Sequence, residues 1–184
     1  MKENERTKRS KRSYYDDYKK NASGDYIYMG ALYEFRSQNG KSTKKWHAEM
    51  LLLSIAAFAV SLLPGFFLVP GLNHSVFVLL PYGIGILASG YLVVCMIRLA
   101  ATKGNVKALE FDKVVYYLPL LVKTVMIIGI VAFVGEIIYI IINGVGGMAP
   151  GMVIFLVSCV IAVGLSYLMV RNVKNAKWIK VSGK

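Results

Sequence analysis

Residues 117–142 read YLPLLVKTVMIIGIVAFVGEIIYIII, an apolar run broken by only two charged side chains, Lys123 and Glu136. Wound as a helix at about 1.5 Å rise per residue, such a run is long enough to cross a bilayer core of about 30 Å. Three more runs of the same character lie outward from it, at 46–69, 75–98 and 150–171. Between them, Trp46–Val69 and Ser75–Ile97 hold a single charge, Glu49. A soluble helix of this length carries a polar face opposite its apolar one, and these do not. Composition agrees, with 56 % apolar and 17 % charged residues against roughly 45–50 % and 25 % in soluble domains. The predicted fold is an all-α membrane protein, a four-transmembrane-helix bundle over residues 46–171, with a short basic extension at 1–45 and a basic tail at 172–184.

The formal net charge of +12 invites a nucleic-acid reading, but the positions of the charges oppose it. Of the 22 lysines and arginines, 12 precede Trp46, four lie from Arg98 to Lys113 and five from Arg171 onward; the last is Lys123. Each cluster flanks a span, where basic residues are expected for topological reasons alone. The segments Pro70–His74 and Asn143–Pro150 contain no Lys or Arg. The positive-inside rule therefore predicts a multi-pass cell-membrane protein with both termini and the middle loop cytoplasmic. The basic opening is too long for a signal-peptide n-region, so no cleavable leader is expected. The predicted partners are the anionic inner leaflet, together with other membrane proteins or a second copy, and no nucleic acid.

Residues 1–23 hold little to bury and are expected to be a disordered basic tail. In 25–36, Tyr26 and Tyr28 alternate with Asp25 and Ile27, and Tyr33 and Phe35 with Glu34 and Arg36, either side of Met29-Gly30. That period-two pattern around a glycine predicts a small β-hairpin. Its aromatic residues Tyr26, Tyr28, Tyr33 and Phe35 are expected at the membrane surface, where amphipathic rings are favoured. Lys103–Lys113 is expected to form a short interfacial helix with Ala108, Phe111, Val115 and Leu118 on one face. Pro64-Gly65 should kink or end the first span.

Small residues recur at four-residue spacing: Ala57, Ser61 and Gly65; Gly85 and Ser89; Ser158, Ala162 and Ser166. Such stripes let helix backbones approach closely, which in lipid replaces the hydrophobic drive. They are expected to pack the bundle internally. Cys95 and Cys159 fall at depths differing by roughly 13 Å at ~1.5 Å per residue, too far for a disulfide, and are expected to be unpaired.

Glu136 is the candidate site. It lies about 10 Å below the outer surface, where even a lenient scale charges on the order of 2–3 kcal/mol for an acid. Gly129, Ala132, Glu136, Tyr139 and Asn143 share one helix face. Glu136, Tyr139 and Asn143 are thus the predicted proton, cation or helix-register site, with Tyr82, Ser89 or His74 as helpers. Two readings stand: a functional acid, or a hydrogen-bonded group that sets helix register. Lys123 lies near a span end and is expected to snorkel.

No catalytic constellation is legible. Gly40-Lys41-Ser42 lacks the upstream glycine of a phosphate loop, and His47-x-Glu49 lacks the further ligands of a metal site. No metal and no cofactor is predicted. The expected function is a non-enzymatic accessory or regulatory subunit of a larger membrane assembly; the alternative is a small transporter or channel subunit using Glu136.

Overall fold

The computed structural model describes residues 17–21, 24–37, 40, 42–102, 105–145 and 147–181. Four long helices dominate: α1 (Thr43–Leu62), α3 (Val76–Ala101), α5 (Leu118–Asn143) and α6 (Ala149–Lys174). Each belongs to a segment long and apolar enough to cross a membrane. They close into a ring in which α1 packs on α3, α3 on α5, α5 on α6, and α6 back on α1. α3, α5 and α6 lie within three residues of the predicted runs, because an uninterrupted apolar stretch leaves its backbone no partner but itself. α1 stops well short of the predicted end at Val69.

Ends are set locally. Ser42 caps α1, its hydroxyl accepting from the Lys45 N–H at 3.4 Å. Pro64 ends α1, and the chain tightens into a 3₁₀ turn over Leu63–Phe66, as the Pro-Gly pair predicts. The following residues do not simply lie on the surface. Phe66 and Leu68 are exposed, but Val69 is fully buried. The chain then re-enters as a short helix, α2 (Pro70–His74), whose Pro70, Gly71 and Leu72 are buried against α3 and α5. Gly151 at the start of α6 lies so close to the Leu68 carbonyl that no side chain fits there.

Most of the small residues line the bundle interior: Ala57, Ser89, Ser158, Ala162 and Ser166 are buried and Ser61 and Gly85 half-buried, but Gly65, beyond the end of α1, is exposed. The serine hydroxyls mostly turn back on their own helix: Ser61 donates to the Ala57 carbonyl at 2.8 Å and Ser89 to that of Ile86 at 3.0 Å. That leaves their small volume, rather than their polarity, to decide packing. Cys95 and Cys159 are free and buried, as expected.

The termini of the helices that carry the basic clusters, called the basic end below, hold the main departure from expectation. Beside the helical bundle the sequence predicts one small hairpin within 25–36, and two small sheets stand there instead. The alternation in 25–36 does produce strands, β2 (Tyr26–Tyr28) and β3 (Leu32–Ser37), but they do not pair with each other. β2 pairs with β1 (Tyr18–Lys20), with Tyr18 opposite Tyr28. The turn of that hairpin is at Gly24, whose φ of 88° suits glycine. β3 is the centre of a three-stranded antiparallel sheet, flanked by β4 (Val106–Lys107) and β5 (Ala176–Val181). Six residue pairs join β3 to β5, from Leu32↔Val181 to Ser37↔Ala176, so a longer ladder outcompetes the local hairpin. Parts of both expected tails are therefore strands.

The interfacial segment differs in its backbone but not in its face. β4 is followed by a single turn, α4 (Ala108–Glu110), and a π-helical turn at Phe111–Val115. Ala108, Phe111, Val115 and Leu118 are all buried, as their spacing predicts. Lys103 lies outside the described residues.

The core has two parts. One, at the basic end, gathers Phe35, Trp46, Met50, Leu92, Met96 and Met169 with their neighbours. The other, at the opposite apolar end, centres on Val69, Leu72, Val78, Ala132, Phe155 and Cys159.

Candidate functional site

Glu136 sits on α5 in the apolar half and is completely buried. One carboxylate oxygen, Oε1, accepts the backbone N–H of Gly71 at 3.1 Å. The other, Oε2, has no hydrogen-bond partner among the described residues. A Cβ at position 71 would collide with Oε2 and approach Val78 Cγ2 to 2.9 Å, so only glycine lets the re-entrant chain seat against the acid. Glu136 thus clasps the re-entrant segment between α1 and α3.

A small cleft runs beneath it between the four long helices, with about 40 Å³ of internal space, room on the order of one or two waters. Ser61, Tyr82, Ala132, Ser158 and Cys159 are among its walls. Ala132 in its wall is one helical turn before Glu136, which does not itself line the cleft. The Tyr82 hydroxyl is buried there beside Gly65, 3.2 Å from where a Cβ of that glycine would stand.

The other predicted members scatter. Tyr139 is half-buried and packs against the apolar-end core. Asn143 is exposed and donates its amide to the Tyr139 carbonyl at 3.2 Å, so it finishes its own helix. His74 is exposed and Ser89 is occupied with its own helix; of the three helpers, Tyr82 alone lines the cleft. Gly71, Ser158 and Cys159 were not singled out for this site from sequence. The Pro70-Gly71 pair is the one signal that could have marked the first.

At the basic end the four aromatic residues expected on the membrane surface divide. Tyr26 is exposed, as are Ile27 and Met29 beside it. Tyr28 is half-buried: its hydroxyl accepts the Ala108 N–H at 3.2 Å and donates to the Ala31 carbonyl at 3.1 Å. The Lys107 ammonium stands 5.4 and 5.5 Å from the Tyr18 and Tyr28 rings, within cation–π range. This pins the β1–β2 hairpin to the chain between α3 and α5. Tyr33 stacks on Phe111 with centroids 3.8 Å apart. Phe35 is only 7 % exposed, packed between Trp46 at 5.0 Å and Trp178 at 5.3 Å. Phe35 is therefore core rather than surface, because alternation turns one strand face toward the bundle.

The opposite face of that sheet presents Glu34, Arg36, Lys177 and Ile179 to the outside, with Arg36 directly opposite Lys177. Above the sheet, Asn172 joins α6 to α1: its side-chain amide donates to Glu49 Oε1 at 2.9 Å, and its backbone carbonyl accepts the Trp46 indole N–H at 3.3 Å. Among the described residues, no group of three His, Cys, Asp or Glu side chains is placed to hold a metal.

No known protein family, curated protein or solved structure matches this chain.

Proposed function

We propose that this is a non-enzymatic multi-pass membrane protein that serves as an accessory or regulatory subunit of a larger membrane assembly, docking through its basic-end sheet on the cytoplasmic side. The observation that carries this reading is the sheet itself. Three segments far apart in sequence spend six-residue and two-residue ladders on a platform that presents Arg36 and Lys177 outward. Basic side chains on such a rim favour partners with acidic surfaces. The hairpin beside it offers Tyr26, Ile27 and Met29 with Lys19 and Lys20, a mixture suited to the anionic inner leaflet.

The test is purification from its native membrane in mild detergent, comparing wild type with Arg36→Glu/Lys177→Glu. Both positions are exposed, so the pair should leave folding intact while removing a specific companion protein. Co-purification that is indifferent to the double change would remove the sheet from the docking role. Orientation is checked separately. With both native cysteines replaced, Asn73→Cys should react with an impermeant thiol reagent on intact cells, whereas Ser42→Cys and Asn105→Cys should not. Labelling at Ser42→Cys would invert the topology.

A second reading, a small transporter or channel subunit, is favoured by one observation: Glu136 keeps a buried oxygen with no hydrogen-bond partner among the described residues, one helical turn from Ala132 in the cleft wall. Glu136→Gln retains shape and hydrogen-bonding capacity. It should leave stability nearly unchanged, while Glu136→Ala should cost on the order of 1–2 kcal/mol, the scale of one interhelical hydrogen bond in a membrane. Loss of ion flux in proteoliposomes with Glu136→Gln would support this second reading. Full retention of flux would remove Glu136 from the transport step.

A further inference from the structure

We infer that Glu136 is a proton-binding site, closed from the apolar end by the re-entrant segment 66–74, and that its ligand is a proton rather than a metal cation. This names the ligand of the second reading above and rests on that reading's choice of Glu136, though not on net transport.

The donor set decides against a metal. Hard cations take six or more oxygens, or keep several waters. Here one oxygen of Glu136 already faces an N–H donor, whose hydrogen would repel a cation. Space decides the same way. Oε2 lies against Gly71 so closely that a single added carbon would overlap it, with Val78 packed at the same spot. A proton needs no such volume.

Charge makes the proton necessary. No Lys or Arg occurs in 55–80 or in 128–160, and Glu136 is the one acid in those stretches. In the apolar-end portions of the surrounding elements, residues 63–82, 129–143 and 149–160, the titratable side chains besides Glu136 are His74 on α2, Tyr82 on α3, Cys159 on α6 and Tyr139 on α5 itself. Of these, His74 is exposed at the far end of α2. An ionised carboxylate with one N–H and no cation in apolar surroundings is strongly disfavoured, and such a group takes up a proton instead. Exchange is then simple: the O–H bond of Glu136 breaks, the proton passes to water, and the carboxylate remains.

Exchange needs water to arrive, and the cover shows where. Val69, Pro70, Gly71 and Leu72 are buried over Glu136, and the Leu68 carbonyl abuts Gly151. The Gly71 N–H bond to Glu136 is the hydrogen bond that ties this cover to α5. Lifting 66–74 would break that bond and open the acid to the apolar-end surface together.

The test uses the full chain in nanodiscs treated with dicyclohexylcarbodiimide, a lipid-soluble reagent that adds to carboxyl groups in their acid form, with the modified residue found by peptide mass spectrometry. The expected result is labelling of Glu136 at acidic pH, its loss at alkaline pH, and faster labelling in Gly71→Ala, whose extra methyl pushes the cover off. Excess sodium or calcium should not protect. Because the reagent could fail to enter, infrared difference spectra provide the second measurement: wild type should show an acid carbonyl band that Glu136→Gln lacks. Protection by either cation would overturn the proposal, as would the absence of both the label and the acid band. Labelling without flux would support the proton site and remove only the transport reading.

Discussion

Trp46→Ala should lower stability by about 3–5 kcal/mol, the range for removing a large buried aromatic, and should loosen the basic-end sheet before it disturbs the bundle. Trp46 is 2 % exposed at the start of α1. It contacts Phe35 of β3 and Trp178 of β5, the latter at 6.2 Å between ring centres, and its indole N–H reaches across to α6. One side chain therefore joins two helices to two strands. Trp46→Phe separates the contributions: it keeps much of the ring and loses a hydrogen bond worth about 1 kcal/mol. Limited proteolysis gives the localisation. Cleavage around Gly40 should accelerate in Trp46→Ala while the four helices remain protected. Uniform loss of protection across the chain would mean that the sheet and bundle unfold as one.

Gly151→Ala should destabilise at the upper end of the ~1–3 kcal/mol typical of overpacking. The obstruction is the Leu68 carbonyl and the peptide that follows it. A flexible side chain could rotate away; a backbone already turned by Pro64 and Pro70 cannot do so without moving the re-entrant segment. Gly164→Ala on the same helix is the control, since a Cβ there meets nothing within 4 Å. It should be neutral or slightly stabilising, because alanine loses less freedom on entering a helix. Thermal unfolding in one detergent compares the two directly. Equal effects at 151 and 164 would contradict the close approach of α6 to residue 68. The displaced segment is the cover of Glu136, so Gly151→Ala should also make that acid more accessible.

These two substitutions fall at places that the sequence reading touched only in part. Pro64-Gly65 and Pro150-Gly151 are visible as turn signals, and the first does end α1. That the chain between them folds back against α5 is not visible, because Phe66–Leu72 is apolar whether it rests on lipid or on a helix. Glu136 was found from sequence because an acid in a run of isoleucines is anomalous anywhere. Its partner was not, since the donor is a backbone N–H, which every residue but proline possesses.

What the sequence alone determined about this protein is everything a bilayer-length stretch of chain decides by itself. Four apolar runs must be helices, because each must satisfy its own backbone where no water can. The small residues inside the helices turn inward, and the Ala108–Leu118 spacing buries one side, because helical periodicity is local. Strand formation at 26–28 and 32–37 was legible for the same reason. Which strands meet was decided only by the tertiary structure. Backbone hydrogen bonds are alike for every candidate partner, so pairing follows from which segments the folded bundle holds nearby. The ring of helices brings the end of α6 beside the start of α1, and β5 reaches β3 across some 140 residues of sequence. The same closure carries Gly71 to Glu136, 65 residues apart.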